Sequence, residues 1–371
     1  MKWIHVVIPV YNAITFLRET VTSVLNQPYK GIDIVLVEDG SNDGSFELCD
    51  EIASVEERVT TIHQSNSGVS AARNRGIEYF LQKNTEGFIV FLDADDLWCP
   101  DVITAEVIAQ IKEKINVEVF LFGSISCNLH CTAFSHPLIY KERICDGGVG
   151  VIWPMEGHFC ANLYSVKLLR KWEIRFIDGL KYSEDKIFKM QCMFLAEKVQ
   201  YLPWILHIYR ENSESAMKKI FEYSPIDYYI PIIDGWIKSD DFINSKERES
   251  SKHIDAGYTL ASIYFGDMAM EHCKQWKSKK ELNDMCKSHA YYYLFKNMDS
   301  NAVSIKQYQN QQLFFKRPVL WWMKYRFIGV VELFARVLLR VNLVYDYRQA
   351  KKYPLRKITA NNDVPRMKPG K

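Results

Sequence analysis

No stretch of about 18 uninterrupted apolar residues occurs in the 371-residue chain, so no membrane-spanning helix is expected. The apolar run within Met1 to Asn12 is short and is followed by no small-residue cleavage site. It does not read as a secretion signal. None of the nine cysteines forms a C-x-x-C pair, and the closest two, Cys127 and Cys131, flank His130. A four-ligand zinc site of the usual spacing is therefore not expected, and the cysteines read as reduced thiols of a cytoplasmic protein. The formal net charge is only +2, too little to argue for nucleic acid. Internal repeats and low-complexity tracts are also absent, which excludes solenoid architectures.

What is present is an alternation. Short apolar runs at Ile4–Ile8, Ile32–Val37, Val59–His63 and Phe88–Leu92 read as strands. Between them, Ile14–Leu25, Ser45–Val55 and Gly68–Leu81 carry helical spacing. Apolar strands alternating with amphipathic helices predict an α/β fold, a mostly parallel sheet flanked by helices. Ligands of such sheets bind beyond the carboxyl ends of the strands. Here those ends read Pro9-Val10-Tyr11-Asn12, Glu38-Asp39-Gly40-Ser41, Gln64-Ser65-Asn66 and Asp93-Ala94-Asp95-Asp96. Nearly all the chemically capable residues of the first hundred converge on one edge.

Carboxylates crowded at a strand end repel each other unless a cation lies among them. A hard ion such as Mn²⁺ or Mg²⁺ takes oxygen ligands and bridges to phosphate. Asp95 is the first candidate ligand; Asp93 faces a ribose or shares the ion. The plainer reading is an acidic turn capping a helix that starts near Pro100. Asp39 offers an acceptor for a base N–H, or marks a simple Asp-Gly turn. Asn66-Ser67-Gly68 precedes a helix, so its amides suit an anion. Arg73 and Arg75 on that helix are within reach of phosphate, and Tyr11 is placed to stack on a base or to fill the sheet edge.

Four motifs in order then carry a resemblance: Val-Ile-Pro-Val-Tyr-Asn (7–12), Val-Glu-Asp-Gly-Ser-Asn-Asp-Gly-Ser (37–45), Asn-Ser-Gly-Val-Ser-Ala-Ala-Arg-Asn (66–74) and Phe-Leu-Asp-Ala-Asp-Asp (91–96). Together they resemble family 2 of the inverting glycosyltransferases, with the GT-A fold, over residues 1 to 215. The resemblance implies a nucleotide-sugar donor, usually a UDP-sugar. Its donor-binding set maps onto Pro9, Tyr11, Asn12, Asp39, Asn66, Gly68, Arg73, Asp93 and Ala94, and its metal set onto Asp95 and Asp93, with His207 as an extra ligand. It also points to the acidic pair Glu184-Asp185. Inversion needs one base to take the proton of the attacking hydroxyl, and Asp185 is the first choice, Glu184 the second. Acids in the first turn of a helix also favour its dipole, and both readings can hold. Residues His207 to Ala216 resemble the stretch that closes over the diphosphate, although the histidine common after Tyr-Arg is here replaced by Glu211, Asn212 and Ser213. No Q-x-x-R-W motif occurs, so a single sugar is expected to be added.

The boundary is placed at 224/225: a GT-A catalytic domain, 1–224, and an α-helical C-terminal region, 225–371. Between Lys316 and Lys357 stand eleven Lys or Arg and two acids. This basic amphipathic segment, 316–357, suits an anionic membrane surface; docking on the catalytic domain or a homodimer seam are the other readings. A peripheral enzyme at the inner face of the cell membrane would glycosylate a glycan or polyprenyl-linked glycan. The alternative from another class is a non-catalytic carbohydrate- or partner-binding protein on a degenerate transferase fold. A nucleotidyltransferase would need a Gly-rich, basic loop after the first strand, and Val10-Tyr11-Asn12-Ala13 is not one.

Overall fold

The computed structural model describes residues 3–83, 85–147, 158–180 and 182–211, with scattered positions between 231 and 246. The basic segment 316–357, the polar tail after 359 and most of the C-terminal region lie outside the described residues. The 224/225 boundary falls there too.

In chain order the elements are β1 (Ile4–Val10), α1 (Leu17–Leu25), β2 (Ile32–Glu38), α2 (Ser45–Val55), β3 (Val59–His63), α3 (Val69–Gln82), β4 (Phe88–Phe91), β5 (Leu97–Trp98), α4 (Ala105–Glu113), β6 (Val117–Asn128), β7 (Arg143–Asp146), β8 (Asn162–Ser165), α5 (Val166–Trp172), α6 (Glu184–Leu195) and β9 (Lys198–Glu211). A 3₁₀ turn at Phe159–Ala161 leads into β8. The described strands form one sheet in the order β3-β2-β1-β4-β8-β6-β9-β5, with β7 on β9. The β3-β2-β1-β4 half is parallel throughout. Strand β8 runs antiparallel to both β4 and β6, which reverses the chain beside the acidic turn.

Burial on both faces explains why β1 and β2 are near-continuous runs of Ile, Val and Leu rather than alternating ones. The periodicity predicted that β1 stops at Pro9. The strand in fact continues to Val10, with Pro9 paired to Val37. Strand β4 pairs with β1 only as far as Val7. A proline that lacks an N–H is tolerated past the end of that ladder. Helix α3 lies tight against β1. A Cβ at Gly76 would overlap the Val7 side chain, so only glycine admits this approach.

The topology brings the carboxyl ends of β1, β2, β3 and β4 to one edge, as expected from the sequence. It adds α6 and β9 to that edge from far along the chain.

Candidate active site

Two loops are laced together at the first corner of the site. Asn12 takes a left-handed φ of 49°. Its backbone N–H donates to Ser41 Oγ at 3.1 Å, and its side-chain oxygen accepts from the Asn42 amide at 3.0 Å. Ser45 Oγ and Asp43 receive the amides of Ala13 and Ile14. Asn12 thus fixes the loop and is itself exposed, as is Tyr11. Pro9 is buried inside β1.

Asp39 is buried at the end of β2. Its carboxylate accepts from Gln64 Nε2 at 2.8 Å, the Ser67 amide at 2.8 Å and the Gly68 amide at 2.9 Å. These bonds cap the approach to α3 and clasp β2 to it. A carboxylate offers about four acceptor positions, so roughly one remains. Gly40, with φ at +74°, lets the chain pass Asn66: a Cβ there would stand 2.8 Å from the Asn66 amide. Asn66 and Gly68 are exposed.

Arg73 is not free to grip a phosphate. Its side chain is 4% exposed; Nη2 donates to Asp93 at 2.7 Å and Nη1 to Glu184 at 2.9 Å. The guanidinium lies over the rings of Phe159 and Phe176. Desolvation works against this buried charge, but the attraction of Asp93 and Glu184 wins and raises its pKa. One arginine therefore ties the acidic turn after β4 to the start of α6. Arg75, one residue past Asn74, is exposed.

The two acids respond in opposite directions. Burial pushes Asp93 up, but the Arg73 charge and hydrogen bond outweigh it and hold the carboxyl below its usual range. Glu184 is pushed up to about 7 by burial and by the adjacent Asp185 charge, which Arg73 offsets only in part. The difference lies in their neighbours: Asp185 stands beside Glu184 and raises it, whereas Asp93 has the Arg73 charge and hydrogen bond to lower it.

Asp95 is the unpartnered acid. No described residue other than Asp95 itself donates to its carboxylate. Burial and the charges of Asp96 and Asp93 push it up to about 7. An acid left protonated by its neighbours is what a divalent cation would relieve, so the donor set fits a hard ion here. The helix-cap reading of this turn does not hold. Strand β5 intervenes, and α4 begins at Ala105 behind its own cap, Thr104, whose side chain accepts from the Val107 amide. Ala94 is buried, and its carbonyl accepts from Thr20 Oγ at 2.8 Å.

Asp185 stands beside Glu184 in the first turn of α6 and makes no ion pair among the described residues; its Oδ1 accepts the Lys186 amide. Ser183 precedes it with a left-handed φ of 59°. One turn on, Lys189 is buried with no hydrogen-bond partner for its Nζ. Burial pulls it down to about 8, against the attraction of Asp185.

His207 is fully buried, and its Nε2 lies 2.8 Å from Asp96 Oδ2. It joins the acidic cluster through Asp96, with Asp95 next in sequence. Arg210 was not singled out by the sequence, yet it is the hub of this corner. Its amide donates to Asp96 Oδ1 at 2.9 Å, Nε to the Asp95 carbonyl at 2.8 Å, Nη1 to the Leu129 carbonyl and Nη2 to Glu19. The signal that could have found it was the Tyr-Arg pair. The sequence also missed His158 and Cys160. His158 stacks on Tyr209 with ring centroids 4.7 Å apart, and burial holds it down to about 4. Residues 212–216 of the closing stretch lie outside the described residues.

A parallel half-sheet with an acidic turn after its fourth strand and a second acidic pair on a later helix is the arrangement of the GT-A fold. Residues 5–159 match the family profile of Glycosyl transferase family 2. It is 32% identical to the glycosyltransferase GlyA of Streptococcus pneumoniae over 231 residues, 58% of this chain and 31% of that protein. It is 27% identical to EpsJ of Bacillus subtilis, an uncharacterized glycosyltransferase, over 57% of this chain and 62% of that one. The chain thus spans under two thirds of either relative. The fold is shared with S. aureus TarS 1–349, solved in complex with UDP-GlcNAc, at a TM-score of 0.68, 17% identity and coverage of 88% of this chain and 90% of that one.

Proposed function

We propose that the chain moves one sugar from a nucleotide-diphosphate sugar to a hydroxyl of a glycan or lipid-linked glycan, with inversion and with a divalent cation at Asp95. A UDP-sugar is the favoured donor. The observation that carries the reading is the pairing pattern. Arg73 pairs with Asp93 and Glu184, Arg210 holds the Asp95 carbonyl and the Asp96 carboxylate, and among the described residues the carboxylates of Asp95 and Asp185 are left without ion-pair partners. Those are the two groups that the chemistry needs free.

Mn²⁺ or Mg²⁺ bound at Asp95, with Asp93 beside it, would neutralise the diphosphate as it leaves. The remaining acceptor position of Asp39 suits a base N–H, and exposed Tyr11 suits the face of the base. The amides of Asn66, Ser67 and Gly68 open α3, where an anion is favoured. Asp185 takes the proton of the attacking hydroxyl; the new bond forms at the anomeric carbon as the bond to the diphosphate oxygen breaks. One base and one displacement give inversion. Glu184, held by Arg73, serves as support rather than as base. His207, paired to Asp96, orients the turn instead of binding this ion. The carbohydrate-binding alternative gains nothing from an unpaired Asp185.

The test is a thermal-shift panel of UDP-, GDP- and dTDP-sugars with and without Mn²⁺, on the wild type and on Asp95→Asn. A donor-dependent shift that needs Mn²⁺ and is lost in Asp95→Asn is expected. Equal shifts in both proteins would overturn the metal assignment.

A further inference from the structure

Beneath the acidic turn lies a second group of donors, of a different chemical kind. Asp96, Cys160 and His207 are all buried, and a carboxylate oxygen, the thiol sulfur and a ring nitrogen from them all lie within 4.8 Å of one another. They come from three separate elements: the turn after β4, the 3₁₀ turn at Phe159–Ala161 and β9. We propose that these three side chains form a binding site for a thiophilic divalent cation, of the zinc or cobalt class, separate from the ion at Asp95.

Three observations carry it. The first is the donor set. One oxygen, one nitrogen and one sulfur within reach of a common centre suit a borderline ion, whereas Mg²⁺ wants oxygen alone. The second is orientation. His207 Nε2 and Asp96 Oδ2 already face each other at 2.8 Å, so an ion at Nε2 would take the place of the proton between them. Asp96 in turn is set by the Arg210 amide, which orients the carboxylate from behind in the manner of an outer shell. The third is charge. Asp96 and a Cys160 thiolate supply two negative charges around a neutral imidazole, which balance one divalent ion. Binding as the thiolate releases the Cys160 proton to solvent, and a sulfur–metal bond replaces the S–H bond.

The proposal does not rest on sugar transfer, and the experiment keeps the two apart. The full-length protein is stripped with a chelator and titrated with Co²⁺ alone. A sulfur-to-cobalt charge-transfer band is expected to saturate near one equivalent and to be unchanged in Asp95→Asn. Cys160→Ser is expected to abolish it, while Cys131→Ser, in the only close thiol pair among the described residues, leaves it in place. Zinc-loaded wild type provides a check that needs no variant: X-ray absorption is expected to show one sulfur at about 2.3 Å with nitrogen and oxygen neighbours. A wild-type protein with no band and no zinc–sulfur shell would overturn the site. A band that survives Cys160→Ser would also overturn it, as would one lost in Asp95→Asn, since the ion would then be the one at Asp95.

Discussion

Replacing Arg73 with Met should destabilise the protein in a way that depends on pH. The methionine fills the stem's volume between Phe159 and Phe176 but removes the charge that both acids share. Breaking a buried pair by deleting one partner costs about 3–5 kcal/mol, because the other charge is left uncompensated. Asp93 is 39% exposed, so solvent screens its share, and the loss falls mainly on Glu184 at 12%. That places the expected cost near the lower end, about 3 kcal/mol at pH 8, or roughly 10 °C in Tm for a domain of this size. Glu184 has an escape: it titrates at about 7 even with Arg73 present, and its pKa must rise when Arg73 goes. At pH 6 it is protonated in the variant, and each pKa unit so absorbed returns about 1.4 kcal/mol. The gap between wild type and Arg73→Met should therefore shrink from pH 8 to pH 6. Urea unfolding at both pH values measures it. Adding Glu184→Gln to Arg73→Met should recover most of the loss at pH 8. A gap that is the same at both pH values, or a double variant no better than the single, would refute the reasoning.

Asp185→Asn is expected to lower kcat by roughly 10²–10⁴-fold, the usual worth of a general base, while donor affinity by calorimetry stays within about twofold. Without divalent ions, stability should fall as pH rises from 5 to 8. Asp95 and Glu184 both sit near 7 in the folded protein, above their unfolded values, so the folded state binds more protons across that window and loses the advantage as they ionise. Differential scanning calorimetry across the range reads this, and the stabilisation by Mn²⁺ should be larger at pH 8 than at pH 6. Gly76→Ala should cost about 1–3 kcal/mol through the clash with Val7 where α3 crosses β1, and denaturant titration measures it.

The parallel half of the fold was legible because burial on both faces writes it into continuous apolar runs, and glycine and acidic residues punctuate the ends. Strand β3 and helix α2 fall on the expected residues. Helix α4 was misplaced for a local reason. Asp96 to Pro100 reads as a helix entrance, whereas Leu97–Trp98 are taken by pairing with Ile208 and His207 of β9, a partner far along the chain. The same distance hid Arg210, Cys160 and His158. Each owes its role to neighbours that sequence spacing does not show.

What the sequence could list but not sort was the set of acids. Asp39, Asp93, Asp95, Asp96, Glu184 and Asp185 are one chemical type, and spacing gives each the same claim to a cation or a proton. Pairing separates them. Three amide or side-chain donors hold Asp39, Arg73 holds Asp93 and Glu184, and Asp96 belongs with His207 and Cys160 in the second donor group. A carboxylate committed to such bonds gives up much of its energy advantage if it also turns to a ligand, whereas an unpaired one gains by doing so. On that criterion the site reduces to Asp95 for positive charge and Asp185 for a proton. Arg73, through Asp93 and Glu184, links the elements that carry them, so a movement of either reaches the other.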